Sequence, residues 1–412
     1  MGSEHLGDRV GRLRRMAGLT QEGLAGRAGV SVDVVRKLEQ RRKHSARLPT
    51  LHALAKGLGV EVTALLGDPP GVASTGQAEP PQLVAVRRAI APPLFAVPPE
   101  PDGVETLTLP LLRAAIEEAW TLYHDAEFGR LMEVLPGVIA DSRLAASVRD
   151  DRQRAAGQAA LAKTLQLGGH LSIRLGKTDL AIFALERAIT AAEASRDPLL
   201  PAMICNSMAW AYQRQNRLDD AMNLAVHAAD GVERDHVHRA EGVRVWGGLL
   251  MSAATSSARS GDYGTADDMM RTAEQAAGRL ATMPPAPNGK LVSVFSRSSV
   301  RIERVRLAVQ HAHPQEAVRL ARGMRLSADI PPSWRTWLLL DLARAHTDLG
   351  NVPEAVRTLE KLHRTAPAWI RHHTLAVATV TDLMSGPAHP PGLRRLAEFL
   401  GIVEGDWRSA EK

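Results

Sequence analysis

Cysteine is almost absent from this sequence: Cys205 stands alone among 412 residues. A lone cysteine excludes an internal disulfide framework and any multi-cysteine zinc site, and it fits a reducing compartment. Aromatic residues are scarce, at 4%, while Ala, Leu and Arg are abundant. That balance favours helix over sheet, so an all-α protein is expected. No run of about eighteen apolar residues occurs, and the opening MGSEHLGDRV is polar with no apolar stretch ahead of a cleavage site. A cytoplasmic protein with no membrane partner is the expectation. Walker loops, HExxH and nucleophile elbows are missing, so neither enzymatic activity nor a cofactor is expected. The close pairs His236/His238, His311/His313 and His372/His373 lack a third ligand at metal spacing, and no metal site is assigned to them. Cys205 falls at an inward helix position and is read as a packed thiol.

What the sequence does have is a localised positive charge. Of the net +6, residues 1–67 account for all: they hold 12 Lys/Arg against 6 Asp/Glu, and the other 345 residues balance at 39 against 39. An excess confined to one small segment implies that this segment meets a polyanion, with DNA the leading candidate. The length also exceeds what one core usually serves, so two or more domains are expected.

Three regions follow from composition and periodicity. Residues 1–67 read as five short amphipathic helices. Leu6, Val10 and Leu13 mark the first, which stops at Gly18. Thr20 caps the second, which ends at Gly29, and Ser31 caps the third, with Val35 and Leu38 inward. Thr50 caps the fourth, and Val62, Leu65 and Leu66 finish the bundle. Residues 68–110 carry proline pairs at 69–70, 80–81, 92–93 and 98–99 and read as a linker. Within it QLVAVRRAI has the pattern of either a short helix or a strand. From 111 to 405 the chain is helical and repeats itself: a turn-former shortly before an alanine recurs in GKTDLA, NRLDDA, GDYGTA, AHPQEA and GNVPEA, which end at Ala181, Ala221, Ala266, Ala317 and Ala355. These spacings of 38 to 51 residues exceed the roughly 34 of a tetratricopeptide unit, which calls for longer helices or inserted loops such as MPPAPNGK.

The stretch LTQEGLAGRAGVSVDVVRKLEQ, continued by LPTLHALAKGLGVEVTALL, resembles the helix-turn-helix of lambda-type phage repressors and XRE-type bacterial regulators. Its logic is also readable from the residues. Ala25 is small where two helices cross, Gly29 permits the tight turn, and Val30 fills the space beneath it. With Val35 and Leu38 inward, Val32, Asp33, Arg36 and Lys37 lie outward as candidate base readers, and the resemblance places Val32, Asp33 and Lys37 at base edges with Arg36 beside them. Arg and Lys suit guanine, Asp accepts from cytosine, and Val touches a thymine methyl. The resemblance assigns Gln21 to a phosphate; Ser31 frees the helix start to face the groove, and Arg41, Arg42, Lys43 and Arg47 form a backbone clamp. Gln40 and Arg41 stand where the family commonly has Gly, and the loop to Pro49 is longer. Arg14 and Glu39 match an internal salt bridge.

The repeats resemble tetratricopeptide domains, most clearly in MICNSMAWAYQRQNRLDDAMNLAVHAA. An all-α chain with a five-helix lambda-repressor-like domain ahead of a tetratricopeptide-like α-solenoid resembles the RRNPP-type regulators, including actinobacterial ones. In such units the first helix of each pair lines a groove. Counting back from the turn alanines gives Lys163, His170, Arg174, Asn206, Trp210, Gln213, Arg214, Arg259, Trp337 and Arg344 as candidate ligand-binding residues. Cations, amides and indoles together suit a small-molecule or peptide effector, anionic in the first case. The expected function is a homodimeric transcriptional regulator of double-stranded DNA whose repeats sense that effector. The alternative is an interaction scaffold whose repeats bind a protein partner, with the N-terminal domain only localising it.

Overall fold

Short amphipathic segments with good capping residues open the chain, and the computed structural model forms a helix from each. It describes residues 5–42, 46, 48–60, 62–66, 79–93, 108–284, 293–327, 330–371 and 373–402, and among these no strand occurs. The first five helices are α1 (Leu6–Met16), α2 (Gln21–Ala28), α3 (Val32–Glu39), α4 (Leu48–Leu58) and α5 (Val62–Leu66). Thr20 caps α2 by accepting from the Gly23 amide at 2.9 Å, and Gly29 ends it in the left-handed region at φ 63°. Ser31 then caps α3, accepting from the Val34 amide at 3.4 Å. Thr50 does not cap α4: that helix starts at Leu48, with Pro49 in the first turn, where its missing N–H costs nothing. Val10, Leu24, Val35, Leu38, Leu54, Ala55 and Leu65 are all fully buried between these helices. One inward arginine joins them. Arg9 donates from Nε to the Leu65 carbonyl at 2.6 Å and from Nη2 to the Leu66 carbonyl at 2.9 Å, satisfying orphan acceptors at the end of α5.

The remaining helices are α6 (Pro81–Ile90), α7 (Leu109–His124), α8 (Phe128–Ala146), α9 (Asp151–Arg174), α10 (Thr178–Ala194), α11 (Leu200–Arg214), α12 (Leu218–His236), α13 (Ala240–Ser260) and α14 (Tyr263–Leu280). They continue with α15 (Arg297–Gln310), α16 (Pro314–Ala321), α17 (Pro332–Asp348), α18 (Val352–Thr365), α19 (Pro367–Arg371), α20 (Thr374–Met384) and α21 (Pro391–Phe399). The chain divides into two compact units, Met1–Gln77 with Arg301–Lys412, and Ala78–Val300. The division near residue 300 falls inside the stretch expected to form one repeat domain.

In the Ala78–Val300 unit, α7, α9, α11 and α13 contact one another in succession, and each pair partner packs alongside. This is solenoid packing, in which each repeat touches only its neighbours. The recurring turn has a single geometry. Gly176, Asn216, Gly261, Ala312 and Gly350 all have φ between 59° and 98°, and the alanine five residues after each, from Ala181 to Ala355, is fully buried. The left-handed residue reverses the chain, and the small side chain admits the next helix closely. At Gly157 the approach is closer still, since a Cβ there would lie 2.2 Å from the Ala145 carbonyl oxygen.

The region expected as a linker contains one packed helix. Leu83, Val86 and Ile90 of α6 are buried, the helix packs on α8, and Arg143 donates to the Ile90 carbonyl at 3.1 Å. Glu79, at its entry, accepts from Arg87 at 2.7 Å and pairs with Lys177 at 3.3 Å. The flanking prolines set the ends of this helix, which is why they resemble linker punctuation.

Candidate functional site

The helix-turn-helix presents α3 with one face buried and one face open. Val35 and Leu38 are fully buried, Val32 is half-buried, and Asp33, Arg36 and Lys37 are exposed. Arg36 and Lys37 keep about half of their side-chain surface in solvent. Asp33 and Lys37, one turn apart, are paired at 2.8 Å, and the hydrogen bond from Lys37 holds the Asp33 carboxyl below its ordinary range. Exposed one-turn pairs of this kind open readily, so base edges can compete for both members. Arg36 lies 3.9 Å from Glu22 of α2, also in solvent.

Behind this face the scaffold is stiff. Arg14 grips Glu39 with both arms of its guanidinium, Nε to Oε1 at 2.6 Å and Nη2 to Oε2 at 2.8 Å, and Nη1 donates to the Leu19 carbonyl at 2.7 Å. Burial raises the Glu39 carboxyl, but the hydrogen bonds from Arg14 and Gln21 overcome it and leave the group below the usual carboxylate range. Gln21 therefore has a structural duty besides its expected phosphate contact: its amide nitrogen donates to Glu39 Oε2 at 2.8 Å. Arg41 is paired as well. It adopts φ 57° and its guanidinium meets Asp8 of α1 at 2.8 Å, while 63% of its side chain stays exposed, a surface pair that opens as readily as the one between Asp33 and Lys37. Arg42 is exposed. Lys43 and Arg47 lie outside the described residues.

The repeat residues separate into three groups. On α9, Lys163, His170 and Arg174 share one face, since steps of seven and eleven residues return to nearly the same angle. His170 contacts Trp120 at 5.1 Å, Tyr123 at 5.6 Å and Trp210 at 5.2 Å between ring centroids, each edge-on. Arg174 lies over the Trp210 ring at 5.1 Å and donates to the Tyr123 hydroxyl at 3.1 Å. His170 Nε2 meets Ser207 Oγ at 2.9 Å, and Gln166 donates to the same oxygen at 2.8 Å. Burial and then the Arg174 charge push the His170 imidazole down to about 3 and that of His124 to about 4, so both are neutral. Burial also lowers the Lys163 ammonium to about 8 despite the Asp197 charge. Asn206, Arg214 and Arg259 are half-buried on the inner helices of the same unit.

Gln213 forms the second group and is a correction. It is buried, and its amide nitrogen donates to the Ser252 carbonyl at 3.0 Å and Ser256 Oγ at 2.9 Å, tying α11 to α13. The third group lies in the other compact unit. Arg344 is buried and paired with Asp348 at 2.8 Å and Asp382 at 2.6 Å, a packing role in place of the ligand role expected of it. Trp337 meets Trp369 at 5.3 Å and His373 at 4.5 Å, with Arg306 over its ring at 4.9 Å.

Residues 5–66 match a family described as a helix-turn-helix domain, and residues 202–234 match one described as a tetratricopeptide repeat. The chain carries an XRE-type helix-turn-helix followed by tetratricopeptide-like repeats. Both are DNA-contacting or interaction domains in kind. Among solved structures the chain is similar to a Rap protein complexed with competence and sporulation factor, at 12% identity over 70% of this chain and 86% of that one, with TM-score 0.42. It is similar also to BtubC (BKLC) from P. vanneervenii, at 16% identity over 58% and 93%, with TM-score 0.37. Ton1535 from Thermococcus onnurineus NA1 is a third, at 16% identity over 72% and 92%, with TM-score 0.26. No curated protein matches the chain.

Trp120, Tyr123, Gln166 and Ser207 were not among the sequence candidates. The run WTLYH carried the signal, because Trp120, Tyr123 and His124 at i, i+3 and i+4 share a helix face. The turn alanine that marks the other reversals is missing from the first helix pair: Ala126 takes the left-handed position at φ 61°, and buried Leu131 stands five residues on.

Proposed function

We propose that this protein is a sequence-specific DNA-binding transcriptional regulator that acts as a cytoplasmic homodimer, with repeats that bind a small molecule or peptide and thereby alter DNA binding. The observation that carries the reading is α3 itself: a capped helix anchored by Val35 and Leu38 and by the Arg14–Glu39 pair, with Arg36 and Lys37 on the open side. Val32, Asp33, Arg36 and Lys37 are the proposed base readers, and Gln21, Ser31 and Arg42 the proposed backbone contacts. One such helix reads only a few base pairs, so two copies on half-sites about one helical turn apart are expected. Selection of bound sequences from a random duplex pool, followed by titration at several salt concentrations, tests this. Enrichment of a two-fold-symmetric site with salt-dependent affinity supports the reading. An unenriched pool, with the repeats capturing a protein partner, supports the scaffold alternative.

A further inference from the structure

In the middle of α13, Gly247 and Gly248 stand side by side, where a helix ordinarily prefers residues with side chains. The bare backbone admits a segment from elsewhere in the chain. Phe295, 1% exposed, lies directly against Gly247, where a Cβ would overlap its ring; a Cβ on Gly248 would stand 2.7 Å from Ser293 Oγ and 3.6 Å from the Asn206 amide nitrogen of α11. One turn earlier on the same face, Arg244 donates from Nη1 to the Phe295 carbonyl at 3.0 Å. That partner is a weak match for a guanidinium. The Arg244 Nε is buried without a hydrogen-bond acceptor, and no carboxylate pairs with this arginine among the described residues. A buried donor in that condition calls for an acceptor from outside the chain, and a carboxylate binds a guanidinium more strongly than a neutral carbonyl does.

We infer that Phe295 is the built-in occupant of a binding slot whose external ligand is an N-acylated aromatic amino acid with a free α-carboxylate, its ring on the Gly247–Gly248 floor and its carboxylate on Arg244. Phe295 is the template, since its ring and its carbonyl already take those two places. In the ligand a carboxylate replaces the carbonyl, and its second oxygen reaches the donor on Arg244 Nε that the segment leaves unmet. Residues 293–295 fold on themselves, with the Phe295 amide donating to the Ser293 carbonyl at 3.0 Å, so a short peptide ending in phenylalanine presents the same chemistry. Displacement has a route onward. Ser296 follows Phe295 directly and caps α15: its amide donates to Ser299 Oγ at 2.8 Å, and the Ser299 amide returns a bond to Ser296 Oγ at 3.4 Å. Helix α15 then carries the chain past Val300 into the unit that contains the DNA-binding bundle. A ligand that expels Phe295 therefore acts on the first turn of that helix.

The inference rests on the reading that the repeats bind an effector, and its test is independent of DNA. Calorimetric titration of the full chain would use N-acetylphenylalanine and N-acetylserylvalylphenylalanine, which copies residues 293–295, each as the free acid and as the C-terminal amide. The acids are expected to bind at least tenfold tighter than the amides. Arg244→Gln should remove that preference, Arg244→Lys should keep part of it, and Phe295→Ala, which empties the slot, should tighten every probe at least tenfold. Arg271→Gln on α14 should change none of these values, and circular dichroism would confirm that each variant is folded; if Phe295→Ala does not fold, the unsubstituted chain and the Arg244 variants decide alone. Tighter binding of the tripeptide acid would identify a peptide as the source, and equal binding of the two acids a free N-acyl amino acid. Amide hydrogen exchange in the first turn of α15 should quicken when the unsubstituted chain is saturated with an acid. Probes that bind Phe295→Ala but not the unsubstituted chain would overturn the inference, because Phe295 would then be a fixed core anchor. Equal binding of acid and amide, or a preference that survives in Arg244→Gln, would overturn it too. An effector that controls DNA binding without competing with these probes would count against this slot and leave the regulator reading standing.

Discussion

Arg174 and Arg344 both lie in the last third of a first helix, two and six residues before the left-handed turn glycines Gly176 and Gly350, and their surroundings differ. Arg344 meets two buried aspartates, Asp348 and Asp382, and becomes a strut inside the unit that holds it. Arg174 donates to a tyrosine hydroxyl and lies over an indole face. The neighbouring helix decides the outcome: α20 supplies an acid to α17, whereas α7 and α11 supply aromatic rings to α9. An arginine near the end of a first helix therefore becomes a strut where the neighbouring helix supplies it with an acid.

The largest expected effect breaks this comparison directly. Arg344→Ala leaves Asp348 and Asp382 buried with their shared cation gone and should cost about 3–5 kcal/mol, read as a lowered midpoint in denaturant. Arg174→Ala, which loses a tyrosine hydroxyl and an indole face, should cost about 1 kcal/mol. Similar stability losses for the two would erase the distinction. The same contrast holds in the DNA-binding bundle. Arg14→Ala frees Glu39 and Gln21 and should destabilise by about 2 kcal/mol, whereas Arg36→Ala should leave stability unchanged and weaken specific DNA roughly ten- to hundredfold.

Acid titration sharpens the comparison. His170 and His124, at about 3 and 4 when folded against 6.5 otherwise, take up protons on unfolding, so stability is lost as pH falls below 6.5 toward 3. Asp341 behaves oppositely. Burial raises it to about 6 against the pull of Arg306, so it releases a proton on unfolding, and stability declines as pH rises from 3.8 to about 6. His170→Gln should flatten the acid loss and Asp341→Asn should remove the opposing trend, both visible in melting temperature against pH. The smallest expected effect is at Asp33. Asp33→Asn releases Lys37 and should raise affinity for all duplexes a few-fold while relaxing discrimination where Asp33 faces a base.

Much of the fold was legible. Capping residues, Gly29 and the Val35–Leu38 phase placed α3 and its open face, and the turn-former before each alanine located five of the repeat reversals. What escaped had physical reasons. Proline pairs set the ends of α6 as they would punctuate a linker, so QLVAVRRAI stayed undecided. Leu131 in the alanine position hid the first helix pair and with it Trp120 and Tyr123. Gln213 and Arg344 have the right periodicity for a groove, but only the structure shows that Ser252, Ser256 and two aspartates claim them. The pairing of Arg41 with Asp8 depends on a left-handed backbone turn at a non-glycine residue, which the sequence does not signal.

The claim that α3 reads DNA is tested most directly by measuring the affinity of the full chain, Arg36→Ala and Lys37→Ala for a selected site and for random duplex at matched salt. Both variants should lose affinity for the selected site roughly ten- to hundredfold while binding random duplex nearly as before. Equal losses on both duplexes would show that these side chains touch only phosphates, and that the outward face of α3 does not read sequence.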